Sequence, residues 1–476
     1  MALIVSATFS AFATGSEILV STEEGLKTAI ASAKPGDTLV VQDGIYKDWR
    51  IAFRTFGTAT APATLKAKTP GGVRFTGNAR LEITGQHLVV SGFLFEDALS
   101  SKHASIVEFR NAQHCRLTDC AFVRCGDPES TFTRTINMAY GSRDNRVDHC
   151  YMTGTLSMGM GVVVRDSDAG RANTGNRFDH NYFKDIVRLS SNGQEPIQLG
   201  QDQSAFGNVS IRAIVEYNLF EKASGDGEIV SNKSADNIIR RNTMRDSKAG
   251  ICLRGGRNVL VEGNYCYRTH GIRIFGHGHT VINNYFEQTE DGICLDAGQY
   301  PDGGFIDRET SGSYQAASGV LIAHNTIVDP TGSGISLGRN RDREHNGVPR
   351  NELPRGITLV NNLVTGKSGI LIDDSGSHNV SWQTNIAWPQ DSAKVGLSDK
   401  GIIAMDPRLS RDGNIQHVLR PDSPARDAGT VLQEVATDYG GRKRDGSPDI
   451  GCSEVCEAAM ANRPLQPEDV GPSWMN

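Results

Sequence analysis

From residue 176 onward, short apolar runs stop at an asparagine and then resume in the same frame: "NRFDHNYF", "AIVEYNLF", "NIIRRNTM", "NVLVEGNYC", "HTVINNYF", "GVLIAHNTI", "GITLVNNLV" and "NVSWQTNIA". The asparagines are Asn181, Asn218, Asn242, Asn264, Asn284, Asn325, Asn362 and Asn385, and the closest neighbours lie 20 to 24 residues apart. A second unit follows the first: "GICLR" at 250, "GIRIF" at 271, "GICLD" at 292, "GISLG" at 334 and "GILID" at 369. Each run is too short to bury an apolar face alone, so stacking of successive units must supply the core. Asparagines repeated at one turn would stack and hydrogen-bond along the axis. The pattern therefore predicts an all-β chain, one parallel β-helix over residues 16–455, and the rule for parallel crossovers makes it right-handed. The period is too short for a four-stranded propeller blade, and the leucine pattern of leucine-rich repeats is absent.

A solenoid needs its first coil covered. "EGLKTAIASAKPGDTLVVQDGIY" reads as a short amphipathic capping helix that ends by Pro35-Gly36, followed by a strand. "DSPARDAGT" and "GRKRDGSPDIGCSE" read as closing loops, and residues 456–476 as a C-terminal tail.

Composition supports this picture: 52 glycines, 7% aromatics and 38% hydrophobic residues in 476 suit a turn-rich β protein better than helical domains. The net charge of −6 argues against a general nucleic-acid binder, so an anionic ligand needs local basic residues. Residues 1–15, "MALIVSATFSAFATG", resemble a secretory signal peptide cleaved near Ala13, though without a basic n-region. This predicts a secreted or periplasmic protein; the alternative is an ordinary first strand. No other apolar run is long enough to span a bilayer. The nine cysteines form no CxxC pair and read mostly as small buried hydrophobes, while Cys452 and Cys456 could pair after export.

Candidate chemistry concentrates around "GDGEIVSNKS", residues 225–234. Asp226 and Glu228, one residue apart, would share a strand face, which is metal-ligand spacing or simply a solvated edge. In "GICLR", Ile251 and Leu253 must point inward, leaving Cys252 and Arg254 outside; Arg273 with Phe275 and Cys294 with Asp296 follow on later coils. Lys233 lies 21 residues before Arg254, one coil length. Arg254, Arg257, Arg268, His270, Arg273, His277 and His279 crowd 26 residues that hold one acid, Glu262, an anion-binding strip on an acidic chain. Solvated charges on a solenoid flank would give the same pattern.

"DGEIVSNKS", "NIIRRNTMRDSKAGICLRGG", "VEGNY" and "GIRIFGHGHTVINNYFE", together with "GDTLVVQDGIY" and "RLSSNGQEPIQLG", resemble polysaccharide lyase family six, the alginate lyases and chondroitinase B. The resemblance implies a right-handed parallel β-helix that cleaves uronate-containing polysaccharides by β-elimination, typically with Ca²⁺. By resemblance Lys233 is the general base and Arg254 the acid or leaving-group stabiliser. Asp226, Glu228 and Asn192 are then the calcium ligands, with Asp226 standing where the family usually has glutamate. Arg273 matches a substrate-binding arginine, and Arg257, His277 and Tyr314 join it as expected substrate contacts. Gly255 and Gly256 depart from the histidine that commonly follows the family's arginine.

These residue types suit the reaction. Removal of the weakly acidic C5 proton leaves an enolate-like dianion, which a hard, oxygen-ligated cation stabilises. Lys233 works as a base only when uncharged, a form that positive neighbours favour. Arg254 is a good electrostatic partner for the departing C4 oxygen but a poor proton donor, so Tyr314 or water could share that role. The expected partner is an anionic polysaccharide, alginate ahead of dermatan sulfate, with no nucleic acid and no membrane. Two other readings stay open: a β-helix glycoside hydrolase using Asp226 with Glu228, or Asp373 with Asp374, and a non-catalytic polysaccharide-binding solenoid. The insertions at 299–318 and 338–355 are expected to decide substrate preference.

Overall fold

The computed structural model describes residues 15–101, 104–164, 173–201, 207–301, 314–413 and 416–475. The expected signal segment and the middle of the first insertion lie outside them. Three long parallel sheets of 14, 12 and 14 strands wind into a right-handed parallel β-helix. Each coil gives one strand to each sheet: Ile238–Arg240 to the first, Thr243–Arg245 to the third and Gly250–Leu253 to the second. The alternating residues of these strands fill one continuous apolar core from Val20 to Ala387.

The asparagines occupy the corner between the first and third sheets. Each side-chain oxygen from Asn218 to Asn385 accepts both the backbone N–H and the amide of the asparagine one coil earlier, as in Asn242 to Asn264 at 3.1 and 2.9 Å. The amides also donate to carbonyls, Asn264 to Ile239 at 2.9 Å. The residue before the asparagine turns through a left-handed conformation, as at Arg241, Asn283 and Thr384, which makes the corner tight enough for this stacking.

The helix Glu23–Ser32 is capped by the Thr22 hydroxyl on the Gly25 N–H and buries Leu26, Ala29 and Ile30 against the first coil. At the other end, the last strand of the third sheet is Ile402–Ile403, so regular coils stop well short of residue 455. A hairpin, Leu409–Asp412 with Gln416–Leu419, and irregular loops follow. The stretch beyond 456, expected as a tail, is instead a strap laid back along the solenoid. Asn462 donates to the Gly263 carbonyl, Leu465 N–H to Thr243, Gly471 N–H to the His180 carbonyl and Trp474 to the Asp119 carbonyl. Cys452 is buried, Cys456 exposed, and neither is in a disulfide. Among the described residues no helix is long and apolar enough to cross a membrane.

Candidate active site

Neighbouring strands Ile197–Leu199, Glu228–Asn232, Gly250–Leu253, Ile272–Ile274 and Asp291–Asp296 of the second sheet carry the candidate residues. Their register aligns Gln198, Ser231, Cys252, Arg273 and Cys294 on the outer face. Asn232, Leu253, Ile274 and Leu295 align likewise, so Lys233, Arg254, Phe275 and Asp296, one residue on, form the expected outer column. Lys233 and Arg254 therefore stand on adjacent coils.

Facing outward does not leave these groups in solvent, as strand parity alone would suggest. Lys233 is only 6% exposed, and Phe275 is fully buried beneath Tyr314 and Arg350 of the two insertions. Tyr314 packs on Phe275 with ring centroids 4.6 Å apart, and its ring carries the Arg254 guanidinium at 5.1 Å and that of Arg350 at 4.3 Å. The insertions lock together through paired backbone bonds between Gly298 and Glu352, and through Gln299 to the His345 and Val348 carbonyls.

Asp226 is not on the strand. It lies in the Gly225–Gly227 turn, and the strand opens at Glu228 with a register shift before Val230. What brings the two acids together is a bond from the Glu228 N–H to the Asp226 carboxylate, 3.1 Å. Glu228 faces the arginines, with Arg273 at 2.7 Å and Arg254 at 3.6 Å. Burial works against its charge, but Arg254, Arg273 and Lys233 outweigh it and hold the carboxyl down at about 2. Asp226 lacks such close cations: burial, then the charges of Glu195 and Glu228, push it up to about 6.

Glu195 is the residue that sequence reasoning missed. Almost fully buried, it lies 3.7 Å from the Lys233 ammonium and accepts a bond from Gln198 at 3.1 Å. The signal was available: Ile197 pairs with Val230, so Glu195, two residues earlier, is the counterpart of Glu228 one coil back. Asn192 does not join the cluster. It sits exposed on the preceding loop, and its side-chain oxygen accepts the Gly193 N–H. Arg257 and His277 are exposed on the turn that follows the outer column, paired with each other by a backbone bridge.

The donor set suits a hard cation in one respect. One oxygen each of Glu195 and Glu228 is buried with no hydrogen-bond partner, and Asp226, raised by burial and then by the other two acids, lies beside them. Among the described residues no three acids, histidines or cysteines converge tightly enough to enclose a metal as they stand, so ligation requires these carboxylates to turn.

A long parallel β-helix thus gathers a lysine, two arginines and three acids at one outer face. The chondroitinase B family model matches residues 20–429, and the chain belongs to that family. Among solved structures it is similar to the PL6-family alginate lyase AlyGC (24% identity over 96% of this chain, TM-score 0.74). The chain spans 59% of that enzyme's length. It is also similar to the PL6-family polysaccharide lyase Pedsa3628 from Pseudopedobacter saltans (25% identity, 96% of this chain and 99% of that one, TM-score 0.71). A third relative is a mannuronic acid specific family 6 lyase from human gut microbiota (25% identity, 83% of this chain and 92% of that one, TM-score 0.69). No curated protein matches the chain.

Proposed function

We propose that this protein is a polysaccharide lyase that cleaves a uronate-containing polysaccharide, alginate first, by β-elimination. The observation that carries this reading is Lys233 beside Arg254 on adjacent coils, with Glu228 and Arg273 closing the same outer face, in a family of polysaccharide lyases. The alginate preference is supported by the relatives named for that substrate and for mannuronic acid.

In this reading the uncharged Lys233 amine takes the C5 proton. The C5–H electron pair becomes the C4=C5 double bond as the C4–O bond breaks, and the leaving oxygen departs toward Arg254, with its proton supplied by Tyr314 or water. Arg273 holds a substrate carboxylate while its bond to Glu228 fixes its direction. Glu195, Asp226 and Glu228 are the residues that would hold Ca²⁺, which supplies positive charge to the uronate carboxylate. Export to a secreted or periplasmic location fits a polymeric substrate.

The separation of Asp226, at about 6, from Glu228, at about 2, is the one feature that favours the hydrolase alternative, since paired carboxyls of unlike acidity are what glycoside hydrolysis uses. Ultraviolet absorbance separates the two. Elimination from alginate creates a conjugated double bond and a rising signal; new reducing ends from alginate or dermatan sulfate with no absorbance change would overturn the lyase reading.

A further inference from the structure

The outer face of the third sheet, another side of the prism from Lys233, carries two cavities that share the 409–419 hairpin as a wall and together form a groove. One, about 320 Å³, is lined by Arg245, Tyr267, Arg268, Glu287 and Arg411 among others. The other, about 520 Å³, is lined by Lys367, Trp388, Arg408, His417 and Arg420, with Asp329 and Asp406. Val328, Thr365 and Trp388 are register partners on successive coils, so the second cavity runs along the solenoid axis. Adjacent strands are spaced by about 4.8 Å, comparable to the length of one sugar ring.

Two features set this face apart from an ordinary solvated flank. The first is which charges face the groove. Arg245, Arg268, Arg408 and Arg420 line it, but the carboxylates that pair with them, Glu221, Asp246 and Asp422, do not. Arg408 and Arg420 share the single carboxylate of Asp422, at 3.4 and 3.1 Å. Counting both cavities, six Lys or Arg side chains line the groove against three acids, Glu287, Asp329 and Asp406. The second feature is a pair of aromatic side chains that line the cavities while packing on the core behind them. Tyr267 is 8% exposed, and its hydroxyl is buried with no hydrogen-bond partner. The half-buried Trp388 packs against the Leu363–Ile386–Leu419 cluster on one side and lines the larger cavity on the other. Lys367 and Arg411 pair with Asp329 and Glu287 inside the cavities, but the four other arginines have their counter-ions outside; these, an orphaned hydroxyl and an aromatic ring form a recognition set for an acidic sugar chain.

We propose that this groove is a second, non-catalytic binding site for a segment of an acidic polysaccharide. It rests on the lyase reading only for the idea that one polymer occupies both faces. A polymer held there keeps further stretches of itself near the Lys233 face at high effective concentration, which raises apparent affinity for long chains and leaves short oligosaccharides unaffected.

The test uses the full chain with Trp388→Ala and, because that change also touches packing, with Lys367→Glu/Arg420→Glu on exposed side chains. Migration is measured in native gels containing sodium alginate or a neutral glucan, alongside ultraviolet turnover of alginate polymer and of a saturated alginate tetrasaccharide. The expected result is alginate-specific retardation of the parent, at least tenfold weaker apparent affinity in both variants, and tetrasaccharide turnover within about twofold of the parent. Unchanged retardation in the charge-reversal variant, or equal retardation by neutral glucan, overturns the proposal. Retardation lost in the variants while the parent forms no double bond would leave the groove standing and remove the lyase reading; turnover with unchanged retardation would do the opposite.

Discussion

The asparagine corner and the outer face of the second sheet are built on the same coils, and both bury polar side chains, yet they treat them in opposite ways. At the corner every asparagine from Asn218 to Asn362 both accepts from the coil before and donates to the coil after, so identical residues repeat. On the outer face the column reads Gln198, Ser231, Cys252, Arg273, Cys294, with no residue type constant from coil to coil, and Glu195, Glu228 and Arg254 keep buried atoms without partners. A buried polar group without a partner costs roughly 1–3 kcal/mol, which stacking could have removed by repeating one residue type. At the corner repetition gives each polar group its partner within the protein; on the outer face the irregular column leaves some of them without one.

The largest effect expected from breaking this contrast is at Lys233. Lys233→Arg keeps a positive charge beside Glu195 but cannot release a proton near neutral pH, so double-bond formation should fall about 10²- to 10⁴-fold with an unchanged circular dichroism spectrum. Lys233→Ala should be equally inactive and also less stable, because it strands the buried Glu195. Substantial activity in the arginine variant would remove Lys233 as the base.

The converse change belongs at the corner. Asn264→Ala deprives Asn242 of its acceptor and Asn284 of its donors, and should cost roughly 2–4 kcal/mol by denaturant unfolding, with turnover per folded molecule preserved. A loss of turnover without a loss of stability would mean that the corner is not purely structural.

Chelation sharpens the contrast at smaller amplitude. If the partner missing from Glu195 and Glu228 is Ca²⁺, excess chelator should lower turnover about tenfold or more and added Ca²⁺ should restore it. Full activity in chelator would leave Arg254 and Arg273 as the only positive charge serving the uronate.

The solenoid was legible because its corner repeats: one asparagine in a constant frame sets the coil, and the coil sets which residues are neighbours. That arithmetic put Lys233 beside Arg254 and Arg273 one coil beyond. It failed where the chain leaves the period. Asn192 lies on a loop that no repeat anchors, whereas Glu195 is close enough to the strand to be counted from Ile197. Parity gave the outward direction of Phe275 but not its burial, since the cover comes from insertions whose fold has no period to read. The strap after Cys456 was opaque for the same reason: its contacts depend on distant coils rather than on any pattern of its own.

That strap changes what kind of folding unit this chain is. A stack of coils in which each touches only the next behaves as a one-dimensional array, free to fray from either end and to melt in stages. Trp474 held at Asp119, Gly471 at His180, and Leu465 and Asn462 at the adjacent coils of Thr243 and Gly263 tie together parts of the stack that are otherwise several coils apart. Each such tie makes opening an inner coil also release a segment anchored elsewhere, which converts a sequence of local losses into a shared one. The end of the chain thus lends cooperativity to an architecture that has little of its own.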